Sequence, residues 1–370
     1  MSTLFSPVSL GGLTLRNRII VSPMCQYSGD HEGNATDWHL MHLGQMATSG
    51  ASLLVIEASA VSPEGRICHT DLGLYSDANE AALARTLAGV RTYSDIPIAI
   101  QLGHAGRKAS CTAPWEGGNQ VALDAGGWET LGPSPVPFKE SDRSPRALDR
   151  AEMTRLRECF VTAAKRAARL GLDGIEIHGA HGYLLHEFLS PLSNQRDDAY
   201  GGSLENRMRF PLEVFDAVRA AFPADKPVGI RISATDWMPD GWEIEQSVAF
   251  CKAIQARGCS FVDVSSGGIS PHQKIPLGPG YQVHLAERLH KELTMPVMAV
   301  GLITDPDHAE AIVASGQADM VALARGLLYN PHWPWHAAAK LGAQVKVPPQ
   351  YWRSQPLGLK ALFEDARGKS

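Results

Sequence analysis

The chain has 370 residues, 44% of them hydrophobic, which is enough for a large core in one domain or two smaller ones. With 20% charged residues and a formal net charge of −5, it lacks the basic surface of a nucleic-acid-binding protein and the polybasic patch of a membrane-associated one. It has no apolar run of the roughly 18 residues that span a bilayer, no signal-peptide pattern and no CxxC pair, so we expect a cytoplasmic protein with reduced thiols.

Eight short apolar runs, each bounded by Gly, Pro or Asp, recur along the chain and predict β-strands. In chain order they are residues 18–24, 52–59, 97–104, 174–180, 227–233, 261–268, 296–301 and 320–326. Amphipathic stretches such as 149–171 and 247–258 lie between most of them and predict helices. Eight such repeats in about 300 residues predict one α/β domain over residues 1–370, a (β/α)8 TIM barrel. A doubly wound parallel sheet is the alternative.

The connection between the third and fourth predicted strands, residues 105–150, is too long for a plain βα loop and is rich in Gly, Pro, Trp and Ser. A structureless loop of this length is uncommon unless it is functional. We therefore predict a small capping insertion over the mouth of the barrel.

Side chains alternate along a strand, which divides each run into an apolar face toward the outer helices and a second face toward the barrel interior. The inward face carries polar and ionisable residues: Gln101, Glu176, His178, Arg231 and Asp263. Burying an unpaired polar group costs roughly 1–3 kcal/mol, and active sites of this fold lie at the C-terminal ends of the strands. A salt-bridge network of Arg231 with Glu176 or Asp263 explains part of the set. It leaves Gln101 and His178 unexplained, so we favour a functional site.

Small residues and an arginine end the last two predicted strands. Gly301 follows the seventh, and Ala324 and Arg325 follow the eighth. Loops at these positions of a TM barrel often bind phosphate, because the backbone can approach closely and arginine offers several donors. The pattern predicts a phosphorylated ligand.

The stretch HGAHGYLLHEF, residues 178–188, follows the fourth predicted strand and allows three interpretations. HxxH with nearby glutamates supplies metal ligands, whereas the histidines could also satisfy only strand-end carbonyls. In the third interpretation, which we favour, the chain bends at Gly179 and Gly182, and His178 and His181 bind one substrate oxygen. Tyr183 is then placed to act as a general acid. We expect no metal.

Six motifs of the chain resemble the old yellow enzyme family over nearly its whole length. They are SPMCQYS (22–28), EASAVSPEGR (57–66), QLGHAGRKAS (101–110), HGAHGYLLHEFLSPLSNQRDDAYGGSLENRMRF (178–210), RISATDW (231–237) and VGLITDP (300–306). The cysteine in SPMC and the second histidine of HGAH are similar to the branch of xenobiotic reductases and thermophilic-like ene-reductases. The resemblance implies an FMN-dependent (β/α)8 barrel that oxidises NADPH or NADH and reduces activated C=C bonds, and often nitro groups.

The resemblance also implies roles for individual residues. Those that would contact FMN are Ser22, Pro23, Met24, Cys25, Ala58, Gln101, Arg231, Gly301, Ala324 and Arg325. Within this set, Gln101 would bond the polar edge of the ring, Arg231 would offset the charge of the reduced cofactor, and Cys25 would lie near its reactive edge without acting as a nucleophile. The family often has Gly where Ala324 stands, and the methyl group of Ala324 would crowd the phosphate loop slightly.

For the substrate, the resemblance implies that His178 and His181 bind a carbonyl or nitro oxygen, that Tyr183 protonates the α-carbon, and that Tyr27 makes a further contact. His186 and Glu187 would take no part and would lie on the following helical turn.

The segment PPQYWRSQPLG, residues 348–358, belongs to a C-terminal arm at 345–370. In the family branch, such an arm enters the active site of a neighbouring subunit. The resemblance thus implies a homodimer or a dimer of dimers with shared sites, in which Trp352 or, as we favour, Arg353 is the entering residue.

Two other functions compete with this prediction. A 2,4-dienoyl-CoA-reductase-like flavoenzyme shares the barrel but needs closely spaced cysteines for an iron–sulfur cluster and an extra pyridine-nucleotide domain, and we expect neither here. A non-redox barrel that binds a phosphorylated small molecule shares the phosphate site but has no use for Gln101, Arg231 and Cys25 around a planar ring.

Overall fold

The computed structural model describes residues 2–364. Its strands, in chain order, are β1 (Val8–Leu10), β2 (Leu13–Leu15), β3 (Ile19–Val21), β4 (Leu53–Ala60), β5 (Ile98–Gly103), β6 (Leu131–Gly132), β7 (Arg146–Ala147), β8 (Gly174–Gly179), β9 (Val228–Ser233), β10 (Val262–Ser265), β11 (Val297–Val300) and β12 (Met320–Leu323). Its α-helices are α1 (Asp37–Ala47), α2 (Asp77–Arg91), α3 (Arg150–Arg169), α4 (Leu184–Leu189), α5 (Leu204–Ala221), α6 (Ile244–Gln255), α7 (Val283–His290), α8 (Pro306–Ala314), α9 (Arg325–Tyr329) and α10 (Trp333–Leu341). None of these helices is both long and apolar enough to cross a bilayer.

Eight parallel strands close into one barrel in the order β3, β4, β5, β8, β9, β10, β11 and β12. Each of them coincides with one of the predicted apolar runs, except that β4 extends one residue beyond its run, and helices follow the strands around the outside. The predicted (β/α)8 barrel is confirmed, and the doubly wound alternative is wrong. The predicted alternation also holds, because Ile100, Ile177 and Ile230 pack in the outer core, whereas Ala99 packs inside the barrel.

An antiparallel hairpin, β1–β2, was not predicted. Its turn lies against Pro227 and Ser260, which come just before β9 and β10, so the hairpin covers the N-terminal end of the barrel. Leu10 and Leu15 join the interior cluster there. The barrel is therefore filled at this end, and its polar inward residues lie toward the other.

Residues 105–150 have structure of their own. They include the short 3-10 segments Gly106–Lys108, Pro114–Glu116 and Leu123–Ala125 and the two-stranded sheet β6–β7. The Trp115 ring lies edge-on to Tyr27, with 5.6 Å between ring centroids. That this insertion shapes the substrate pocket remains a prediction.

The C-terminal segment packs on its own chain. Val345 pairs with Phe363, whose ring centroid lies 5.4 Å from that of Trp335. Residues 365–370, the end of the predicted arm, lie outside the described residues.

Candidate active site

Cross-strand register brings the inward polar residues together at the C-terminal end of the barrel. Gln101 of β5 pairs with Glu176 of β8, His178 pairs with Arg231 of β9, and Arg231 pairs with Asp263 of β10. All five residues are buried. Residues far apart in sequence therefore form one continuous polar surface.

The charged groups of this surface are partly paired. Nε of Arg231 lies 3.3 Å from Oδ2 of Asp263, and its Nη1 donates to Oγ of Ser22 at 3.1 Å. Gln101 donates to Oε1 of Glu176 at 2.7 Å. Burial and the neighbouring Asp263 raise the pKa of Glu176 to about 8, so it is mainly protonated at pH 7. Of the two salt-bridge partners considered for Arg231, the one in contact is Asp263.

The loop after β3 carries Ser22, Pro23, Met24, Cys25 and Tyr27, which is in the left-handed region with φ +50°. It is held by a residue that the sequence did not reveal: the backbone N–H of Gln26 donates to the buried Glu57 carboxylate at 2.7 Å. Glu57 precedes the half-buried Ala58 on β4, so one strand supports both the loop and Ala58.

The Cys25 side chain is a neutral thiol. Burial and, secondarily, the carboxylates of Asp71 and Glu57 raise its pKa well above its ordinary value. A nucleophilic cysteine requires a lowered pKa. The thiol is therefore suited to contact a ligand and unsuited to attack one.

His178, His181 and Tyr183 come together as predicted. The two imidazole centroids are 5.2 Å apart at an interplanar angle of 89°, and the Tyr183 ring lies 4.9 Å from that of His178. The bend differs in detail from the prediction, because His181 (φ +60°) and Gly182 (φ +74°) are left-handed whereas Gly179 remains in β8.

Both imidazoles are neutral, because burial, and then the positive charge of Arg231, lower their pKa values well below the ordinary value. In His178, Nδ1 accepts from the Ala180 N–H at 3.3 Å, which places the proton on Nε2. Burial raises the pKa of Tyr183 well above 10, so its hydroxyl keeps its proton. Each of the three side chains therefore carries one proton, on Nε2 in His178 and on the hydroxyl in Tyr183.

Two contacts at His181 were missed by the sequence reasoning. Its Nε2 lies 2.7 Å from the Ser265 hydroxyl. Its carbonyl accepts from Nζ of Lys108 at 2.9 Å, and Lys108 also donates to the Gly268 carbonyl at 3.1 Å. Burial lowers the pKa of Lys108 to about 8. Lys108 thus joins the insertion to the histidine turn and to the loop after β10.

The predicted phosphate residues lie at the ends of two adjacent strands, β11 and β12. Gly301 has φ +125°, and a Cβ there would lie 2.8 Å from Nε2 of Gln282, so only glycine fits. Ala324 is the N-cap of α9, and Arg325 begins this helix. The Arg325 side chain is exposed, and within residues 2–364 it has no ion pair. The position offers close backbone approach and a free guanidinium, as a phosphate requires.

Arg353 does not join these residues. It is exposed in the 3-10 segment Pro349–Ser354, on the part of the chain that packs near Trp335. Within residues 2–364, no three or more His, Cys, Asp or Glu side chains are placed to hold a metal ion.

Comparison with known proteins gives consistent results. Residues 3–344 match the model of the NADH:flavin oxidoreductase / NADH oxidase family. The chain is 44% identical over 351 residues to an NADPH dehydrogenase of Geobacillus sp. (strain WCH70), covering 95% of this chain and 98% of that protein. It is 42% identical over 361 residues to an NADH:flavin oxidoreductase of Gibberella zeae, covering 93% and 87%. A solved structure of morphinone reductase in complex with tetrahydroNAD has a TM-score of 0.76 and 28% identity, covering 95% of this chain and 94% of the other.

Proposed function

Because the chain belongs to the NADH:flavin oxidoreductase / NADH oxidase family and is an FMN-dependent NAD(P)H oxidoreductase of the old yellow enzyme type, we propose that it is an ene-reductase. Its substrates are α,β-unsaturated carbonyl compounds and, secondarily, nitro compounds. The observation that carries this proposal is the pair of neutral imidazoles, His178 and His181, beside a protonated Tyr183.

The two competing functions are less well supported. The non-redox barrel is set aside, because the family uses FMN and NAD(P)H. A dienoyl-CoA-reductase-like enzyme is disfavoured, because the match to an NADPH dehydrogenase covers 98% of that relative.

The residues present fit FMN. Arg231 places a buried guanidinium beside Ser22, and Gly301 and Arg325 offer a phosphate the close backbone and the free charge described above. The residues that would hold the cofactor are Ser22, Pro23, Met24, Cys25, Ala58, Gln101, Arg231, Gly301, Ala324 and Arg325. The bound cofactor would supply the hydride chemistry that links NADPH or NADH to the substrate.

The histidine pair binds the substrate oxygen. Nε2–H of His178 is one donor. His181 is the second donor in the tautomer that carries its proton on Nδ1, in which Nε2 accepts from the Ser265 hydroxyl 2.7 Å away. Two fixed donors stabilise negative charge that develops on the oxygen, and one such donor is worth roughly 2.7–4 kcal/mol in other enzymes. The two donors thereby make the β-carbon of the unsaturated substrate more electrophilic. Tyr183 then gives its proton to the α-carbon.

Three further features complete the proposal. Tyr27 contacts the substrate from the loop after β3, where Trp115 of the insertion packs against it. The protein is cytoplasmic and forms a homodimer or a dimer of dimers. In that assembly, the exposed Arg353 enters the active site of the neighbouring subunit.

The test begins with the absorption spectrum of the purified protein, which should show bound flavin. His178→Ala and His181→Ala should each slow reoxidation by an enone such as 2-cyclohexenone about 100-fold, since removing one such donor costs about 10²–10³. Reduction by NADPH should change far less. A colourless protein, or equal slowing of the two half-reactions, contradicts the proposal.

A further inference from the structure

His186 and Asp236 lie directly behind the histidine turn, and the proposed chemistry does not use them. Both side chains are completely buried. The backbone N–H of Gly182 donates to Nδ1 of His186 at 2.9 Å. On the other side of the ring, Nε2 lies 2.9 Å from Oδ1 of Asp236. The imidazole therefore bridges the turn and a buried carboxylate on the segment after β9.

This arrangement defines the protonation of His186. Because Nδ1 accepts a hydrogen bond, it carries no proton, and the single proton of the ring is on Nε2, facing Asp236. The second oxygen of Asp236 accepts from the Ser190 hydroxyl at 2.6 Å and from the Trp242 N–H at 2.7 Å. Burial alone would raise the pKa of Asp236, but His186, Ser190 and Trp242 outweigh it and lower the pKa. Asp236 is thus a carboxylate whose Oδ2 has two donors in place and whose Oδ1 lies beside the His186 ring.

The turn needs such support. His181 has φ +60°, which is uncommon for a residue with a side chain and costs about 1–3 kcal/mol. Gly182 follows with φ +74°, and a Cβ there would lie 2.0 Å from the Gly268 carbonyl oxygen. The Gly182 amide that His186 binds stands between His181 and Tyr183, so its orientation sets the direction of both side chains.

We propose that His186 and Asp236 are a pair of positioning residues that fix the direction of the oxygen donor His181 and of the acid Tyr183. The inference rests on the proposed function of those two residues. It goes beyond the sequence-based expectation that His186 takes no part in the chemistry. Neither member of the pair touches the substrate; they act only through the Gly182 amide and the tautomer of one imidazole.

Asp236→Asn tests the role of the His186 tautomer, because Asn has almost the same shape as Asp. The Asn oxygen is held as acceptor by Ser190 and Trp242, so the amide NH2 faces Nε2 of His186 and forces the imidazole proton onto Nδ1. That proton then points at the Gly182 N–H, which loses its hydrogen-bond acceptor. We expect reoxidation by 2-cyclohexenone to slow about tenfold, the lower end for loss of an orienting partner in other sites, and reduction by NADPH to stay within about twofold.

A second pair of variants tests the acceptor. His186→Ala removes the acceptor for Gly182, whereas His186→Asn presents an oxygen near the position of Nδ1. We expect the Ala variant to show the slow reoxidation and the Asn variant to recover most of the rate. Equal rates for the two variants, each with full flavin content, would overturn the proposal. This comparison remains informative if Asp236→Asn does not fold.

A measurement that does not involve turnover is ¹⁵N NMR of the holoenzyme labelled at histidine, with the His186 signal assigned by its loss in His186→Asn. The wild type should show a protonated Nε2 and an unprotonated Nδ1, and Asp236→Asn should show the reverse. An unchanged tautomer together with an unchanged reoxidation rate refutes the inference. A wild type that binds flavin but reduces no enone refutes the proposed function instead.

Discussion

The Ser265 hydroxyl lies 2.7 Å from Nε2 of His181, which places a contact from β10 on a residue just beyond β8. Because His181 lies in a left-handed turn, its ring depends on such contacts for its direction. Ser265→Ala should therefore slow reoxidation by 2-cyclohexenone about two- to tenfold, as expected for loss of a hydrogen bond worth roughly 0.5–1.5 kcal/mol. Ser265→Thr keeps the hydroxyl and is the control. Stopped-flow traces that are the same for Ala and Thr would rule out this role.

Tyr183→Phe removes the proposed proton donor and keeps the ring that packs against His178. Burial raises the pKa of Tyr183, so the hydroxyl is protonated throughout the range of the assay. We expect the enone-dependent step to slow about 10²-fold or more, the lower end for general acid catalysis. The dissociation constant of 4-hydroxybenzaldehyde, an unreactive phenol that the two imidazoles can bind, should stay nearly constant. If the variant turns over at nearly the wild-type rate, the proton delivered to the α-carbon comes from water and not from Tyr183.

Gly268→Ala should disturb the turn from the opposite side. A Cβ at this position would lie 2.4 Å from backbone atoms of His181, and Gly268 has φ +95°. We expect a loss of about 1–3 kcal/mol in stability, from strain of this kind, and slower reoxidation by enone. Gly278→Ala is the matched control, because no atom lies within 4 Å of its added Cβ. Thermal melts and stopped-flow rates of the two variants should differ clearly; matching values would disprove the close approach.

Glu187 should make stability depend on pH. Its Oε1 accepts from the Arg107 N–H at 2.9 Å, and burial raises its pKa from 4.5 to about 8. The folded state thus holds the proton more tightly than the unfolded state, so this stabilisation is complete below pH 4.5 and is lost as the pH rises to 8. Glu187→Gln does not titrate, so it should gain stability relative to wild type across this range. Melting temperatures at pH 5 and pH 8 give the answer, and a constant difference between the proteins contradicts the assignment.

Arg353→Ala tests the shared active site. If Arg353 enters the neighbouring subunit, its loss should raise the Michaelis constant for 2-cyclohexenone or for NADPH about tenfold, the scale for removing a hydrogen bond to a charged group. Flavin content and melting temperature should stay unchanged, because the side chain is exposed within its own chain. If both Michaelis constants are unchanged, the arm does not reach a site.

The barrel was predictable because its signals are local. Apolar alternation identifies strands one at a time, and it placed Gln101, His178 and Arg231 on the inward face. The register between neighbouring strands brings these residues together on that face. The hairpin β1–β2 was missed, because two strands of three residues are too short to show a period.

The contacts that hold the site residues in place were less predictable, because they join segments that are distant in the sequence. Ser265 and Lys108 each contact His181, and Glu57 holds the backbone of the loop after β3, through atoms that no sequence spacing links to these positions. His186 lies inside the quoted histidine stretch, but nothing in that stretch shows that Asp236 faces its ring. The motif resemblance predicts which residues meet the ligands, and the structure adds the contacts that hold those residues in place.

Because the N-terminal end of the barrel is filled, ligands can enter only at the C-terminal end. Leu10 and Leu15 occupy the other end, so NAD(P)H and the enone of the proposed function would reach the site through the same mouth of the barrel. We therefore expect the oxidised nicotinamide to depart before the second substrate enters. Such alternation produces parallel lines in double-reciprocal plots, the kinetic sign of a ping-pong sequence.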